Sequence, residues 1–377
     1  MSNVKEMDEV QQVNEKVTEK KNNFPILIIG ALLVLVLGYF LFSGNEKADK
    51  DDAEKKLDPV VLQLKWIPQA QFAGYLVADA KGYYEDEGID LQIMPGGVGI
   101  NPVDVLIADE ADIAVAWTGN VLPAISKGED LVNIGQGFQR SGLRMMAWKD
   151  SGIVEPADIA GKKIGTWPGG NELEPYAFIE KQDLDKDRDV ELVSQGFDMN
   201  QLINKEIDLA SAMIYNEYWL PIEAGYGEDE FVVFDLNEEG AAMLQDALFV
   251  KRDFLDNNED LLVRFLRATM KGWDYAITNP VEAVDLMGLD FTENDVTAKD
   301  HQIRSMYEVA KLTVADDGTA EGLFFIDRDK LEQTVTIAET YVDEVKDIDL
   351  DKIYTLDIWK NAVEGMEFSD YSKVAEY

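Results

Sequence analysis

Four apolar segments of this sequence end on an aromatic residue that is followed closely by polar side chains. The aromatic residues are Trp66, Trp117, Trp167 and Tyr215. The polar residues that follow them are Gln69, Gln71, Thr118, Asn171, Glu172, Asn216 and Glu217. Aromatic rings stack on flat molecules, and amides and carboxylates form directed hydrogen bonds. The pattern therefore predicts a site for a planar solute, although Trp and Tyr also favour strands and half-buried edges for purely structural reasons.

The stretch GTWPGGNELEPYAF places a glycine pair, Gly169 and Gly170, between an apolar strand and a helix. Glycines there let the backbone approach a ligand, and the helix N-terminus offers unpaired N–H groups. The spacing is not that of a phosphate loop, and the carboxylate of Glu172 would repel a phosphate. We therefore expect a neutral or cationic group at this loop, such as the edge of an aminopyrimidine. An ordinary tight turn is the alternative.

The elements that would position these residues alternate between strands and helices from residue 59 onward. VVLQLKW, DLQIMP and DIAVAWT predict strands separated by amphipathic helices, and a second such block begins at KKIGTW. This alternation is typical of mostly parallel sheets, which bind ligands beyond the carboxyl ends of their strands. We predict two lobes that face a cleft. Residues 59–149 are expected to form the first part of lobe 1, and residues 150–247 to form lobe 2. Residues 248–377 are expected to return to lobe 1 and to end in helices.

Composition excludes several classes of function. The chain has 377 residues, with 34 Lys and Arg against 74 Asp and Glu, for a formal charge of −40. That charge repels nucleic acid and anionic lipid. With no Cys and a single His, His301, we expect no metal site, no cofactor and no Ser-His-Asp catalysis. The position of His301 among polar residues predicts that it lies at the surface.

Residues 24–43 form an uncharged apolar run that is long enough to span a bilayer. A secretory signal would have a shorter apolar core and a small-residue cleavage site, so an uncleaved anchor is favoured over a cleaved signal. Lys16, Lys20 and Lys21 precede the run and predict a cytoplasmic stub at 1–23. Residues 44–58 then read as a charged linker. The expected location is the cell membrane, with a single span and the remaining residues outside the cytoplasm.

The segment KWIPQAQFAGYLVADAKGYYEDEGIDL resembles the opening of solute-binding proteins of the nitrate, taurine and sulfonate importers. GTWPGGNE and QGFDMNQLINKEIDLASAMIYNE keep to the same pattern, which is most similar to the branch that binds thiamine pyrimidine precursors and includes riboflavin-binding relatives. The resemblance implies a type II periplasmic-binding fold and ABC permease and ATPase partners. It also implies a site of stacking rings, a pairing carboxylate and assisting amides. The matching residues are Trp66, Tyr75, Trp117, Trp167, Tyr215, Glu172, Asn171 and Asn216.

The resemblance also extends to thiamine pyrimidine synthases, which are iron-dependent and use a His together with a Cys-rich motif. This chain has no Cys, so a binding protein is favoured over an enzyme. A sensor ectodomain remains an alternative. So does a sulfonate-type binding protein, for which Arg140 and Arg144 would be the nearby cations. If the protein is a binding protein of this branch, its expected ligand is either a pyrimidine precursor of thiamine or a flavin.

Overall fold

The computed structural model describes residues 56–97, 99–168, 171–292, 298–314 and 322–374. The span predicted at 24–43 lies outside these residues. In the described part of the chain, no helix combines the length and the apolar character that a membrane crossing needs. Lys56–Tyr377 forms one compact unit.

The strands form two five-stranded mixed sheets. Sheet 1 has the order β2-β1-β3-β10-β4 and sheet 2 the order β7-β6-β8-β5-β9. The strands of sheet 1 are β1 Asp58–Gln63, β2 Ile89–Met94, β3 Ile113–Ala116, β4 Leu131–Gln136 and β10 Ala247–Lys251. Those of sheet 2 are β5 Leu143–Trp148, β6 Lys163–Thr166, β7 Glu191–Ser194, β8 Leu209–Met213 and β9 Phe231–Asp235. β3, β4 and β8 are buried along their whole length; β3 is wholly apolar, whereas β4 contains Asn133 and Gln136 and β8 contains Ser211.

Sheet membership differs from the sequence prediction at β5, and both β5 and β10 run antiparallel to their neighbours. β5 pairs antiparallel with β8 and β9, so residues 143–148 belong to sheet 2 although the predicted second lobe began at 150. β10 pairs antiparallel with β3 and β4. Both strands directly follow a passage of the chain from one sheet to the other. The apolar pattern of a buried strand does not encode its direction, so the sequence did not reveal this reversal.

Helices cover both sheets. They are α1 Ala73–Ala80, α2 Tyr83–Asp86, α3 Pro102–Ile107, α4 Thr118–Ser126, α5 Leu173–Glu180, α6 Asn200–Ile203, α7 Trp219–Glu223, α8 Arg252–Asn257, α9 Glu259–Thr278, α10 Pro280–Leu286, α11 Lys299–Thr313, α12 Arg328–Tyr341 and α13 Asp357–Val363. α1 and α9 pack closely because two glycines face each other. A Cβ on Gly74 would lie 2.1 Å from Trp273 Cγ, and a Cβ on Gly272 would lie 2.1 Å from the Gly74 carbonyl oxygen.

The chain passes between the sheets in two segments, 137–142 and 236–246, which we call the crossovers. The Gly137 N–H donates to the Asp246 carbonyl (3.1 Å), which joins one crossover to the other. Glu174, at the start of α5, accepts hydrogen bonds from Ser141 (2.6 Å) and Gln245 (2.7 Å). The crossovers therefore form a compact, hydrogen-bonded connection between the two lobes.

Candidate ligand-binding cleft

A cavity, here called the inner cavity, lies where the strand ends of the two sheets meet. It contains about 400 Å³ of space free of protein atoms, including its opening to solvent. Sheet 1 contributes through the segments after β1 and β3, and sheet 2 through those after β6, β7 and β8. Its lining residues are Lys65, Trp66, Gln69, Gln71, Trp117, Trp167, Asn171, Phe197, Met213, Tyr215, Asn216 and Glu217.

The rings of the inner cavity come from both lobes and differ in burial. Trp117 and Tyr215 are only 5% and 2% exposed, and both belong to the hydrophobic core that continues below the cavity. Trp66 and Trp167 are half-buried. Trp66 lies against Phe197 with ring centroids 5.0 Å apart and planes at 59°. The cavity thus has an aromatic floor and an aromatic rim.

Asp246 organises the floor of the inner cavity. One of its carboxylate oxygens accepts a hydrogen bond from Trp117 Nε1 (2.8 Å) and the other accepts one from Gln71 Nε2 (2.7 Å). Gln69 in turn donates to Gln71 Oε1 (3.0 Å). Burial raises the pKa of Asp246 to about 6, although these hydrogen bonds and the nearby Lys65 favour its charged form. This network fixes the orientation of the Trp117 ring.

Lys65 places a buried amine at the same wall. Lys65 is only 6% exposed, and its Nζ lies 3.8 Å from the centroid of the Trp117 ring. Nζ also donates a hydrogen bond to Asn171 Oδ1, which joins a residue of lobe 1 to a loop of lobe 2. Burial lowers the pKa of Lys65 to about 8, and the negative charge of Asp246 opposes that shift.

Glu217 supplies a buried carboxyl group on the side of lobe 2. One of its oxygens accepts from the Met213 N–H (3.1 Å) and the other from Asn216 Nδ2 (2.9 Å). Burial raises the pKa of Glu217 to about 7. Near neutral pH this group can therefore accept hydrogen bonds as a carboxylate or donate one as a carboxylic acid.

His301 stands behind Glu217 and contradicts the expectation of a surface histidine. The residue is 2% exposed, its Nε2 lies 2.9 Å from Asn216 Oδ1, and its Nδ1 lies 2.9 Å from Glu223 Oε2. On the same helix, α11, Ser305 donates to the Tyr215 carbonyl. α11 therefore supports the loop Tyr215–Glu217 from outside the cavity.

A second, larger space adjoins the inner cavity and is here called the outer cavity. It contains about 1630 Å³, much of it open to solvent, and shares Lys65, Trp66, Trp167, Asn171 and Phe197 with the inner one. Its other charged lining residues are mostly acidic: Asp104, Glu172, Asp343 and Glu344, with Lys186 as the cation. A ligand whose ring occupies the inner cavity has room for a substituent in the outer one.

Of the fourteen residues that the sequence predicted for the site, the structure places most at the inner cavity. The residues that line the inner cavity are Trp66, Gln69, Gln71, Trp117, Trp167, Asn171, Tyr215, Asn216 and Glu217. Glu172 lines the outer cavity. Gly169 and Gly170 lie outside the described residues.

Two predicted site residues line neither cavity. Tyr75 is 1% exposed and lies edge-on to Trp273 (5.6 Å) and Phe324 (6.2 Å), so it is a core residue. Thr118 is fully buried at the start of α4, where its N–H donates to the Leu244 carbonyl (3.0 Å). The reason for the Tyr75 error is geometric, since the face of α1 that carries it packs against α9 rather than toward the strand ends.

Sequence reasoning missed Lys65, Phe197, Met213 and Asp246. Lys65 had a visible signal, since it is a charged residue between Leu64 and Trp66 at the end of an apolar strand. Phe197 follows a strand end much as the predicted aromatics do. Asp246 had no such signal, because it reaches Trp117 across 129 positions of sequence.

Comparison with solved structures identifies the class of fold. The periplasmic aliphatic sulphonate binding protein SsuA from Escherichia coli matches with a TM-score of 0.60 at 12% sequence identity, over 79% of this chain and 92% of that one. The chain therefore has the two-sheet α/β fold of periplasmic binding proteins, as the sequence predicted.

Within that class, residues 69–283 match the model of the NMT1/THI5-like family, and the chain belongs to this family. A formylaminopyrimidine-binding protein of Halalkalibacterium halodurans is 24% identical over 69% of this chain and 77% of its own length. Riboflavin-binding protein RibY of Chloroflexus aurantiacus is 26% identical over 63% of this chain and 68% of its own length. A 4-amino-5-hydroxymethyl-2-methylpyrimidine phosphate synthase of Legionella pneumophila is 25% identical over 60% and 72%.

Proposed function

We propose that this protein is an extracytoplasmic solute-binding protein of an ABC importer, and that it captures a planar aromatic nitrogen heterocycle and delivers it to a permease. The observation that carries the proposal is the inner cavity, where rings from two lobes converge on one space with a carboxyl group and an amine in its wall. Relatives named for binding formylaminopyrimidine and riboflavin support the same ligand class.

The cavity suits such a ligand for physical reasons. Stacking on Trp or Tyr contributes about 0.5–1.5 kcal/mol beyond the burial of apolar area. Trp117 and Tyr215 are already held in place, Trp117 by its hydrogen bond to Asp246 and the Tyr215 ring by its burial against Phe138 (centroids 5.9 Å apart), so little side-chain freedom is lost when a ring binds them. Glu217 and Asn216 then offer polar atoms that can fix the orientation of the ring.

The positions of Arg140 and Arg144 argue against a sulfonate. Arg140 and Arg144, the cations that the sequence suggested for an anionic ligand, line a separate cavity beside the crossovers together with Lys330. There Arg144 pairs with Asp235 (2.7 Å) and Arg140 donates to the Lys311 carbonyl. No arginine is among the described residues that line the inner or outer cavity.

The membrane anchor at 24–43, the cytoplasmic stub at 1–23 and the linker at 44–58 belong to this proposal. An importer needs its binding protein close to the permease, and a single apolar span would hold it there. Extraction of native membranes with carbonate and with detergent tests whether the chain is anchored in the membrane. The proposal requires the chain to resist carbonate and to dissolve in detergent, and release by carbonate would contradict anchoring.

Ligand-induced stabilisation tests the function. A ligand that binds only the folded state raises the melting temperature progressively with its concentration. We expect a formylated aminopyrimidine, thiamine or riboflavin to stabilise the purified chain, whereas taurine and nitrate leave it unchanged. An absorbance spectrum of the protein as isolated detects a retained flavin. Stabilisation by taurine or nitrate, with none by the ring compounds, would refute the proposed ligand class.

A further inference from the structure

Lys65 is a buried amine at the junction of the two cavities, and its hydrogen-bonding capacity exceeds what its surroundings use. A lysine ammonium has three N–H donors and no acceptor. Asn171 accepts one of these donors, and the face of the Trp117 ring lies 3.8 Å from Nζ. In the described part of the chain, no carboxylate forms an ion pair with Lys65 within 4.0 Å.

Asp246 is the carboxylate that most favours the charged form of Lys65. Both carboxylate oxygens of Asp246 accept hydrogen bonds, one from Trp117 and one from Gln71. No ion pair within 4.0 Å joins Asp246 to Lys65 in the described residues, so Asp246 acts on Lys65 at longer range and takes none of its N–H donors. An ammonium that is withdrawn from water and only partly hydrogen-bonded is costly. A ligand that brings an acceptor oxygen to this point would reduce that cost.

We infer that Lys65 selects the ligand by its edge, so that the preferred ring presents a carbonyl oxygen or a deprotonated imide to Nζ, as a pyrimidine-2,4-dione does. An amino group at the same position would place N–H donors against N–H donors in a site sheltered from water. This inference rests on the proposed function and narrows its ligand class from nitrogen heterocycles in general to those with a dione edge.

Glu217 complements Lys65 in this assignment. The imide N–H of a dione edge is a donor beside an acceptor, and the inner cavity contains an acceptor carboxylate as well as the donor amine. Trp66, Trp167 and Asn171 border both cavities, so the remainder of a larger ring system or a hydroxylated side chain would extend into the outer cavity. A fused bicyclic or tricyclic dione with a polar substituent would place its dione ring in the inner cavity and its substituent in the outer one.

A matched pair of ligands isolates the edge. Pteridine-2,4-dione and 2,4-diaminopteridine share one bicyclic frame and exchange two carbonyl oxygens for two amino groups. Calorimetric titration of the full chain at pH 7.5 measures both dissociation constants. Loss of a hydrogen bond to a charged group costs about 1.5–3 kcal/mol, so we expect the dione to bind at least about tenfold more tightly.

The variant Lys65→Met then tests the residue. It retains the length of the side chain and removes the donors, so affinity for the dione should fall by about tenfold or more and the preference between the two ligands should largely disappear. Lys205→Met removes an exposed lysine that pairs with Asp150, remote from the cavities, and should leave both constants unchanged. Urea unfolding verifies that each variant is folded.

The wild-type preference is a test in itself, independent of how Lys65→Met folds. Tighter binding of the diamine, or an unchanged preference in a folded Lys65→Met, would overturn the inference while the proposed function stands. If both pteridines fail to bind while other ring compounds stabilise the chain, the dione edge is also refuted. Failure of every ring compound would instead refute the proposed function and the inference with it.

Discussion

Mild acid should stabilise this protein, because two buried carboxyl groups take up protons in the folded state. Burial raises the pKa of Glu217 and of Glu174 to about 7, from an ordinary value of 4.5. A carboxyl group whose pKa is higher in the folded state than in the unfolded chain binds more protons when folded. Stability therefore rises as pH falls from about 7 toward 4.5.

The expected size of this effect follows from the two shifts. Between pH 8 and pH 5.5 each carboxyl group contributes about 2 kcal/mol, since one pKa unit corresponds to about 1.4 kcal/mol. Asp246, with a pKa of about 6, adds less than about 1 kcal/mol in this range. Lys65 has most of its pH dependence above pH 8, because its pKa is lowered from 10.5 to about 8. The net gain is on the order of 4 kcal/mol.

Urea unfolding at constant ionic strength, at several pH values from 8 to 5.5, measures this gain. The variant Glu217→Gln has a neutral side chain at every pH. The gain in its free energy of unfolding across the same range should therefore be smaller than that of the wild type by about 2 kcal/mol. That difference in slope does not depend on how stable the variant is at any single pH. A stability that is flat or falls as the pH is lowered, or a Glu217→Gln slope equal to that of the wild type, would refute the reasoning.

Three further predictions concern packing and positioning. Gly74→Ala should cost about 3 kcal/mol in urea unfolding, because its Cβ would meet the Trp273 ring at 2.1 Å; an unchanged midpoint would contradict the packing of α1 on α9. His301→Ala should weaken ligand binding by about tenfold, because the Asn216 amide, which orients the Glu217 carboxyl group, loses a hydrogen bond. Calorimetry measures this affinity, and a wild-type value would show that α11 does not position the site. Arg144→Gln should leave ligand affinity unchanged in the same titration, because Arg144 lines the cavity beside the crossovers, and a marked loss of binding would reopen the sulfonate alternative.

Much of the fold was predictable because its signals are local. Apolar runs bounded by turn residues predicted strands, and their alternation with helices predicted two α/β lobes, while the resemblance to solute-binding proteins implied the periplasmic-binding type. The directions of β5 and β10 were not predictable, because a buried strand looks the same in sequence whether it runs parallel or antiparallel to its neighbours.

The candidate site was predictable where one rule applied and not elsewhere. Trp66, Trp117, Trp167 and Tyr215 were grouped correctly at the inner cavity because each follows a strand of a predicted sheet, and such strand ends meet at one edge. The groups that set the electrostatics are harder to find. His301, for example, reaches Asn216 across 85 positions of sequence through a helix that has no motif of its own.

Tyr75 shows the opposite limit. A resemblance between sequences carries residue types to matching positions, but it does not show which face of a helix packs inward. The close contact of α1 with α9, which Gly74 permits, turns Tyr75 toward Trp273 and Phe324 and away from the inner cavity. α9, the packing partner of α1, lies about two hundred positions later in the chain, so a local sequence pattern does not predict this contact.

The dissociation constant of a stabilising ring compound, measured by calorimetry for Trp167→Leu beside Trp359→Leu, tests the central claim most directly. Trp167 lines the inner cavity, whereas Trp359 is also half-buried but packs on Phe325 and donates to the Leu323 carbonyl (2.9 Å). If a planar ring binds between the two sheets, Trp167→Leu should lose about tenfold or more in affinity and Trp359→Leu should bind as the wild type does. Equal affinity in all three proteins would contradict the claim.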